Sequence, residues 1–279
     1  MSARTEPPAE LSDPGLVLLW GNTPNGWKIT CLLQALKEKG AIPDYTAVEV
    51  FLQHGEQFQP WFLRANPNSK MPALIDNRPN KPPLHIWDSG SILQYLARAY
   101  DENYDYHFED DDLETEMINW LYWTLSGLGP MQGQVNHFYR YSGEKSEYAL
   151  KRYTDETYRL YQVLEDHLLG THDGQKKDWL VGGKPSCADF CAQPWIRTGF
   201  WGGLSLAAYP TVSAWVDRVE SLPFVQNALK VPVQDLVTRV KSDPELEAKL
   251  MAGMKKMKED KEAKEREEAE KAKAKEEGK

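Results

Sequence analysis

Residues 16–20 form a short unbroken apolar run, Leu-Val-Leu-Leu-Trp, the pattern of a strand buried on both faces. Turn-forming residues occupy 21–26. An amphipathic stretch over 27–39 follows, with Ile29, Leu32, Leu33 and Leu36 at helical spacing. A strand thus delivers the chain to a tight loop, and the loop opens a helix. The β-formers at 45–50 predict a second strand, 52–59 a polar loop, and Pro60 the first turn of a short helix over 61–65. A third strand over 71–76 begins with Met71-Pro72, a proline-rich hairpin loop spans 77–83, and a fourth strand covers 84–87. Asp88 and Ser89 stand where a helix N-cap belongs, ahead of the stripe Ile92, Leu93, Leu96 and Ala97. The order βαβαββα predicts a compact α/β domain over 15–101.

An acidic stretch at 102–112 breaks this pattern and reads as a linker. Residues 113–231 are helical throughout. A long helix over 113–139 turns Met117, Trp120, Leu121, Trp123, Thr124 and Leu128 to the core, and Gly127-Leu128-Gly129-Pro130 should bend or interrupt it. A second helix spans 147–169. Ser186 and Asp189 have the spacing of a capping box and open a buried helix that runs to Ile196, and two short helices follow at 212–222 and 224–229. Residues 1–14 carry three prolines and little to bury, which predicts disorder. Residues 232–279 form a charged tail. Its end, 255–279, is nearly all Lys, Glu and Ala and reads as a solvated helix or a frayed tail, with an arm for a protein partner as the alternative.

Composition narrows the function classes. With 279 residues, 41% of them hydrophobic, the chain can build a large core. A net charge of -9 argues against a general nucleic-acid surface. No apolar run approaches the roughly 18 residues of a membrane span, and the opening residues match neither a secretory signal nor an Arg-rich transit peptide. Three scattered cysteines do not make a disulfide framework, so a reducing, cytoplasmic setting is the simplest reading.

The candidate chemistry begins at Thr23, Pro24 and Asn25. Free backbone N–H groups and the positive end of the helix dipole gather there, which suits an anion, and a thiolate is one. The Met71-Pro72 bond has two readings. If cis, it turns the free backbone of Met71 towards that loop, ready to pair with a peptide-like ligand; otherwise Pro72 merely starts an edge strand. Asp88-Ser89 is either a plain cap or a carboxylate site at a helix N-terminus. Cys31, Cys187 and Cys191 read as small buried hydrophobes rather than nucleophiles. His137 either lines a cleft or is a satisfied helix histidine. No cluster has metal-ligand spacing, and no glycine-rich phosphate loop is present.

Three strings carry a resemblance. Thr23-Pro24-Asn25-Gly26-Trp27-Lys28 is similar to the T-P-N-G-x-K loop of nu-class glutathione transferases and of the fungal class named after the yeast nitrogen-catabolite regulator. The segment 66–74, Asn-Pro-Asn-Ser-Lys-Met-Pro-Ala-Leu, resembles their N-P-N-x-[RK]-[IVM]-P-A-[IL]. Residues 127–134, Gly-Leu-Gly-Pro-Met-Gln-Gly-Gln, followed by His137-Phe138, resemble their G-L-G-P-M-x-G-Q…H-F. The likeness covers about residues 16–230 and implies a thioredoxin-like N-terminal domain with an all-α C-terminal domain, the glutathione transferase fold.

The resemblance also implies roles. Thr23 and Asn25 would contact the glutathione sulfur, in place of the Tyr, Ser or Cys of other classes. Gln57 would hold the glycyl end with Lys70 nearby, Met71 before Pro72 would pair with the cysteinyl backbone, and Asp88 and Ser89 would take the γ-glutamyl group. Asp88 stands where the family usually has Glu, one methylene longer. Arg152 falls near the rim of the site, and Asn119 and Trp123, with His137, are candidates for the substrate cleft or for contribution by the second subunit of a homodimer. The implied activity is a glutathione-dependent transferase or disulfide-bond reductase. Glutathione serves as co-substrate, and its thiolate attacks a disulfide, a peroxide or an electrophilic carbon on a hydrophobic substrate. The competing expectation is a non-enzymatic regulatory or docking protein on the same fold.

Overall fold

The computed structural model describes residues 3–252 except 244, 247 and 251. Residues 1–235 form one compact unit. Strand β1 (Gly15–Trp20) pairs in parallel with β2 (Tyr45–Glu49) and antiparallel with β3 (Ala73–Asn77), which pairs antiparallel with β4 (Leu84–Trp87), giving the sheet order β2-β1-β3-β4. Residues 16–20 are all buried because side chains on both faces of β1 are covered. On one face Val17, Leu19, Ala73 and Ile75 pack with Trp61, Phe62 and Ala65 of the short helix α2 (Pro60–Ala65). Helix α1 (Pro24–Glu38) packs against α3 (Ser89–Tyr100) and against the helical half of the unit, and Ile29, Leu32, Leu33 and Leu36 are fully buried.

The helical half comprises α4 (Asp111–Trp123), α5 (Gly129–Asn136), α6 (Glu147–Leu169), α7 (Cys187–Arg197), α8 (Pro210–Glu220) and α9 (Pro223–Ala228). The long helix expected over 113–139 is two helices. Between them Thr124–Leu128 forms a wide turn in which the N–H of Gly129 bonds to the carbonyl of Thr124, five residues back. Pro130 has no N–H to give, and the widened turn accommodates that loss. The Ser186–Asp189 capping box is formed at the start of α7.

Two expectations change. Residues 3–14, expected to be disordered, lie against the sheet. Leu11 packs on its core, Asn77 Nδ2 donates to the carbonyls of Leu11 and Asp13 at 3.0 and 2.7 Å, and the Arg4 guanidinium pairs with the buried Glu56 at 2.7 Å. The linker 102–112 is tied down: the Asp101 carboxylate accepts from the N–H groups of Asp105 and Tyr106, and Tyr106 is buried against Phe190 and Phe224. Residues 236–279 form a second unit that contains α10 (Leu236–Ser242); the charged stretch 255–279 lies outside the described residues. No helix among the described residues is long and apolar enough to cross a membrane.

Candidate active site

The first turn of α1 is built for an anion. Thr23 caps the helix, its Oγ1 accepting from the Gly26 N–H at 3.3 Å. Pro24 carries no N–H, and the Gly26 and Trp27 amides bond to the Thr23 carbonyl. The Asn25 N–H therefore stays unpaired among the described residues at the positive end of the helix. The Asn25 side chain is anchored from the helical half: the indole Nε1 of Trp195, on α7, donates to Asn25 Oδ1 at 3.0 Å. With that oxygen occupied, the Asn25 NH2 and the Thr23 hydroxyl proton are the remaining side-chain donors of the loop.

Asn25 stands at the junction of a two-lobed cleft. The larger lobe, about 640 Å³, lies between α1, the start of α3 and the α4–α5 turn, and its lining includes Lys28, Pro72, Asp88, Ser89, Thr124 and His137. The smaller lobe, about 430 Å³, is lined by Thr23, Leu52, Gln57, Phe58 and Asn136 among others. Asn25, Lys70, Met71, Gly133, Tyr141 and Trp195 face both. These volumes are of the size that holds a small organic ligand.

The Met71-Pro72 bond is cis. Met71 lies beyond the β1–β3 ladder, whose last pair is Leu19 with Ala73, and its backbone makes no hydrogen bond among the described residues. Asp88 is a helix cap, its Oδ1 accepting from the Gly90 N–H at 3.0 Å, in a left-handed backbone conformation with φ 69°. It is also exposed in the larger lobe, so cap and cleft residue coincide. Ser89 is buried beside it and accepts from the ammonium of the buried Lys28 at 3.3 Å. In the smaller lobe the side-chain oxygens of Gln57 and Asn136 are buried without a hydrogen-bond partner among the described residues.

The cysteines stay out of the cleft. All three are buried. Burial pushes the Cys31 thiol up to about 12, against the pull of Arg197, and raises Cys187 and Cys191 as well. Among the described residues no group of three or more His, Cys, Asp or Glu is arranged to hold a metal ion.

Family models for the N-terminal and C-terminal domains of glutathione S-transferase match residues 17–98 and 121–223. The chain belongs to the glutathione S-transferase family. Within that family it is similar to the disulfide-bond oxidoreductase YfcG of Escherichia coli, 37% identical over 214 residues, covering 76% of this chain and 93% of the relative. Among solved structures it resembles a glutathione transferase homologue from Lodderomyces elongisporus holding two glutathione molecules per subunit, with a TM-score of 0.70, 31% identity and coverage of 78% of this chain and 99% of that one. It also resembles the nitrogen-regulation fragment of the yeast prion protein Ure2p, with a TM-score of 0.71, 31% identity and coverage of 82% and 100%.

Of the residues singled out from the sequence, the fold of this glutathione S-transferase chain brings together Thr23, Asn25, Gln57, Lys70, Met71, Pro72, Asp88, Ser89 and His137. Three do not line the cleft of a single subunit. Trp123 packs edge-on against Trp120, Asn119 is exposed on α4, and Arg152 is exposed near the start of α6. Asn119 and Trp123 lie four residues apart on one face of α4, while Thr124 and Leu125, which follow that helix, line the larger lobe. The sequence assigns no role to Lys28, and it leaves Trp195 as either an aromatic of a roomy cleft or a buried core aromatic. Lys28 left one signal, a charge inside a helix segment, 26–33, whose every residue is buried.

Proposed function

We propose that this chain is a glutathione-dependent disulfide-bond reductase that binds and ionises the glutathione thiol at Asn25. The observation that carries the reading is the donor set at the junction of the two lobes. The Asn25 N–H, the Asn25 NH2 and the Thr23 hydroxyl converge where α1 begins, with no exposed protein thiol beside them. Lowering a thiol pKa by about two units requires about 2.7 kcal/mol. One hydrogen bond to a charged sulfur contributes about 1.5–3 kcal/mol and a helix N-terminus up to about 1 kcal/mol. The loop therefore suffices to hold a thiolate without a basic residue.

The rest of the cleft fits the tripeptide. Ser89, with Lys28 behind it and the N-terminus of α3 below, suits the γ-glutamyl carboxylate. The free backbone of Met71 suits the cysteinyl peptide groups, and Gln57 and Lys70 suit the glycyl end. The thiolate attacks one sulfur of a disulfide RS–SR′, forming GS–SR and releasing R′S⁻, which takes up a proton. A second glutathione thiolate attacks the glutathionyl sulfur, forming oxidised glutathione and releasing the second thiol. Glutathione supplies both electrons, so no protein cysteine is needed. The same thiolate would serve a peroxide or an electrophilic carbon. We further propose a homodimer that packs the α4–α5 helices of two subunits together, where Asn119 and Arg152 would approach the partner's cleft.

The test is glutathione-dependent reduction of hydroxyethyl disulfide, coupled to glutathione reductase and NADPH. We expect turnover in the wild type and a loss of roughly 10- to 100-fold in kcat/KM for Asn25→Ala, the worth of a hydrogen bond to a charged group. Glutathione binding with no turnover on disulfides, peroxides or chlorodinitrobenzene would favour the non-enzymatic reading.

A further inference from the structure

An asparagine can stabilise a thiolate only if it presents its NH2. Turned by 180° about its last bond, the same side chain presents a carbonyl oxygen and repels the sulfur. What fixes the turn at Asn25 is Trp195. An indole N–H donates and never accepts, so the atom it meets at 3.0 Å must be the amide oxygen, and the NH2 is left for the cleft.

Trp195 is itself held on two sides by one helix. Gly129 and Gly133, one turn apart on α5, form its bed: a Cβ on Gly129 would stand 3.1 Å from the indole Nε1, and one on Gly133 would stand 3.6 Å from the far edge of the ring. Between them Gln132 donates from Nε2 to the Trp195 carbonyl at 2.5 Å, while its Oε1 accepts from the buried Tyr161 hydroxyl at 2.8 Å. Ring and backbone of a single residue are thus gripped by Gly129-Pro130-Met131-Gln132-Gly133, the core of the string 127–134 singled out above.

We propose that Trp195 is the positioning residue of the thiolate site, acting through Asn25, and that Gly129, Gln132 and Gly133 exist in this arrangement to seat it. The inference rests on the reading of Asn25 as the thiolate ligand. It also links the two halves of the fold: the amide that ionises the thiol belongs to α1, and its orientation is set by α7 and α5.

The test is the thiol pKa of bound glutathione, followed by the ultraviolet absorbance of the thiolate as pH is varied, in wild type, Trp195→Phe, Asn25→Ala and the double variant. Phenylalanine keeps an aromatic ring in the glycine bed and removes the N–H together with the second ring of the indole. The inference expects the bound thiol pKa to rise by about one unit in Trp195→Phe, and no further rise when Trp195→Phe is added to Asn25→Ala. Retained binding of S-methylglutathione, which has no thiol to ionise, reports that the site of Trp195→Phe is folded. Should Trp195→Phe fail to bind it, Gly129→Ala carries the test, because it displaces the indole without removing it and should raise the thiol pKa in the same direction. A Trp195→Phe protein that binds S-methylglutathione and keeps the wild-type thiol pKa, beside an Asn25→Ala protein that loses it, overturns this inference and leaves the thiolate reading intact. Wild-type thiol pKa in Asn25→Ala overturns the thiolate reading itself.

Discussion

The Lys28 ammonium lies 3.3 Å from the Ser89 hydroxyl, on a side chain that is 1% exposed, and among the described residues it pairs with no carboxylate. A buried cation without an anion is costly, and an incoming carboxylate at the N-terminus of α3 would relieve that cost. Lys28→Met should therefore raise KM for glutathione by about tenfold with little change in kcat, the worth of a charge-assisted contact made before the chemical step. Its melting temperature without ligand should hold or rise, because the unpaired charge is gone. Unchanged KM in a folded variant would remove Lys28 from the binding site.

A glutathione-only mechanism requires that no protein thiol take part. Cys31, Cys187 and Cys191 are buried, and burial raises all three thiols, Cys31 to about 12. Iodoacetamide applied to the native protein at neutral pH should leave disulfide reduction undiminished, since the reagent attacks thiolates it can reach. Inactivation in step with labelling of any of the three would contradict this.

Asp189 makes stability fall as pH rises through the mildly acid range. Its carboxylate accepts from the Leu180 and Ser186 amides, the Ser186 hydroxyl and the Trp215 indole, yet complete burial pushes it up from 3.8 to about 6. The folded state then binds this proton more readily than the unfolded chain does. The group's contribution is greatest at low pH and is lost as pH rises from 3.8 through about 6. Over that window it amounts to about 3 kcal/mol. Asp189→Asn should flatten this part of the profile when melting temperature is measured against pH. It should also melt lower at every pH, because an amide turns an NH2 against the Ser186 donors. An identical slope in both proteins would assign the window to other groups.

Local pattern carried most of the fold. The apolar run at β1, the proline at the head of α2, the Asp88 cap and the Ser186–Asp189 box all follow from residues within a few positions of one another. The parts that were not legible depend on partners distant in the chain. Nothing in residues 3–14 signals order, because what holds them is Glu56 under Arg4, Trp61 Nε1 on the Arg4 carbonyl, and Asn77 under Leu11 and Asp13, with separations of 52 to 66 residues. Trp195 and Asn25 are 170 residues apart, so nothing in the local pattern ties the indole to the loop. The string 127–134 was legible as specific, but not what it is for; its Gly129 matters because of a ring that another helix delivers. A single helix over 113–139 would keep one face in register along its length, whereas the wide turn at Thr124–Leu128 resets which residues meet the cleft.

Glutathione bound in this cleft should carry its sulfur on the first turn of α1, and a crystal structure of the protein with reduced glutathione shows whether it does. The sulfur should lie within about 3.5 Å of the Asn25 NH2, hydrogen-bond reach for a thiolate, with the γ-glutamyl carboxylate on Ser89 and the Trp195–Asn25 contact retained. A sulfur placed away from Asn25, or an Asn25 carbonyl oxygen turned towards it, would rule out thiolate stabilisation by this loop.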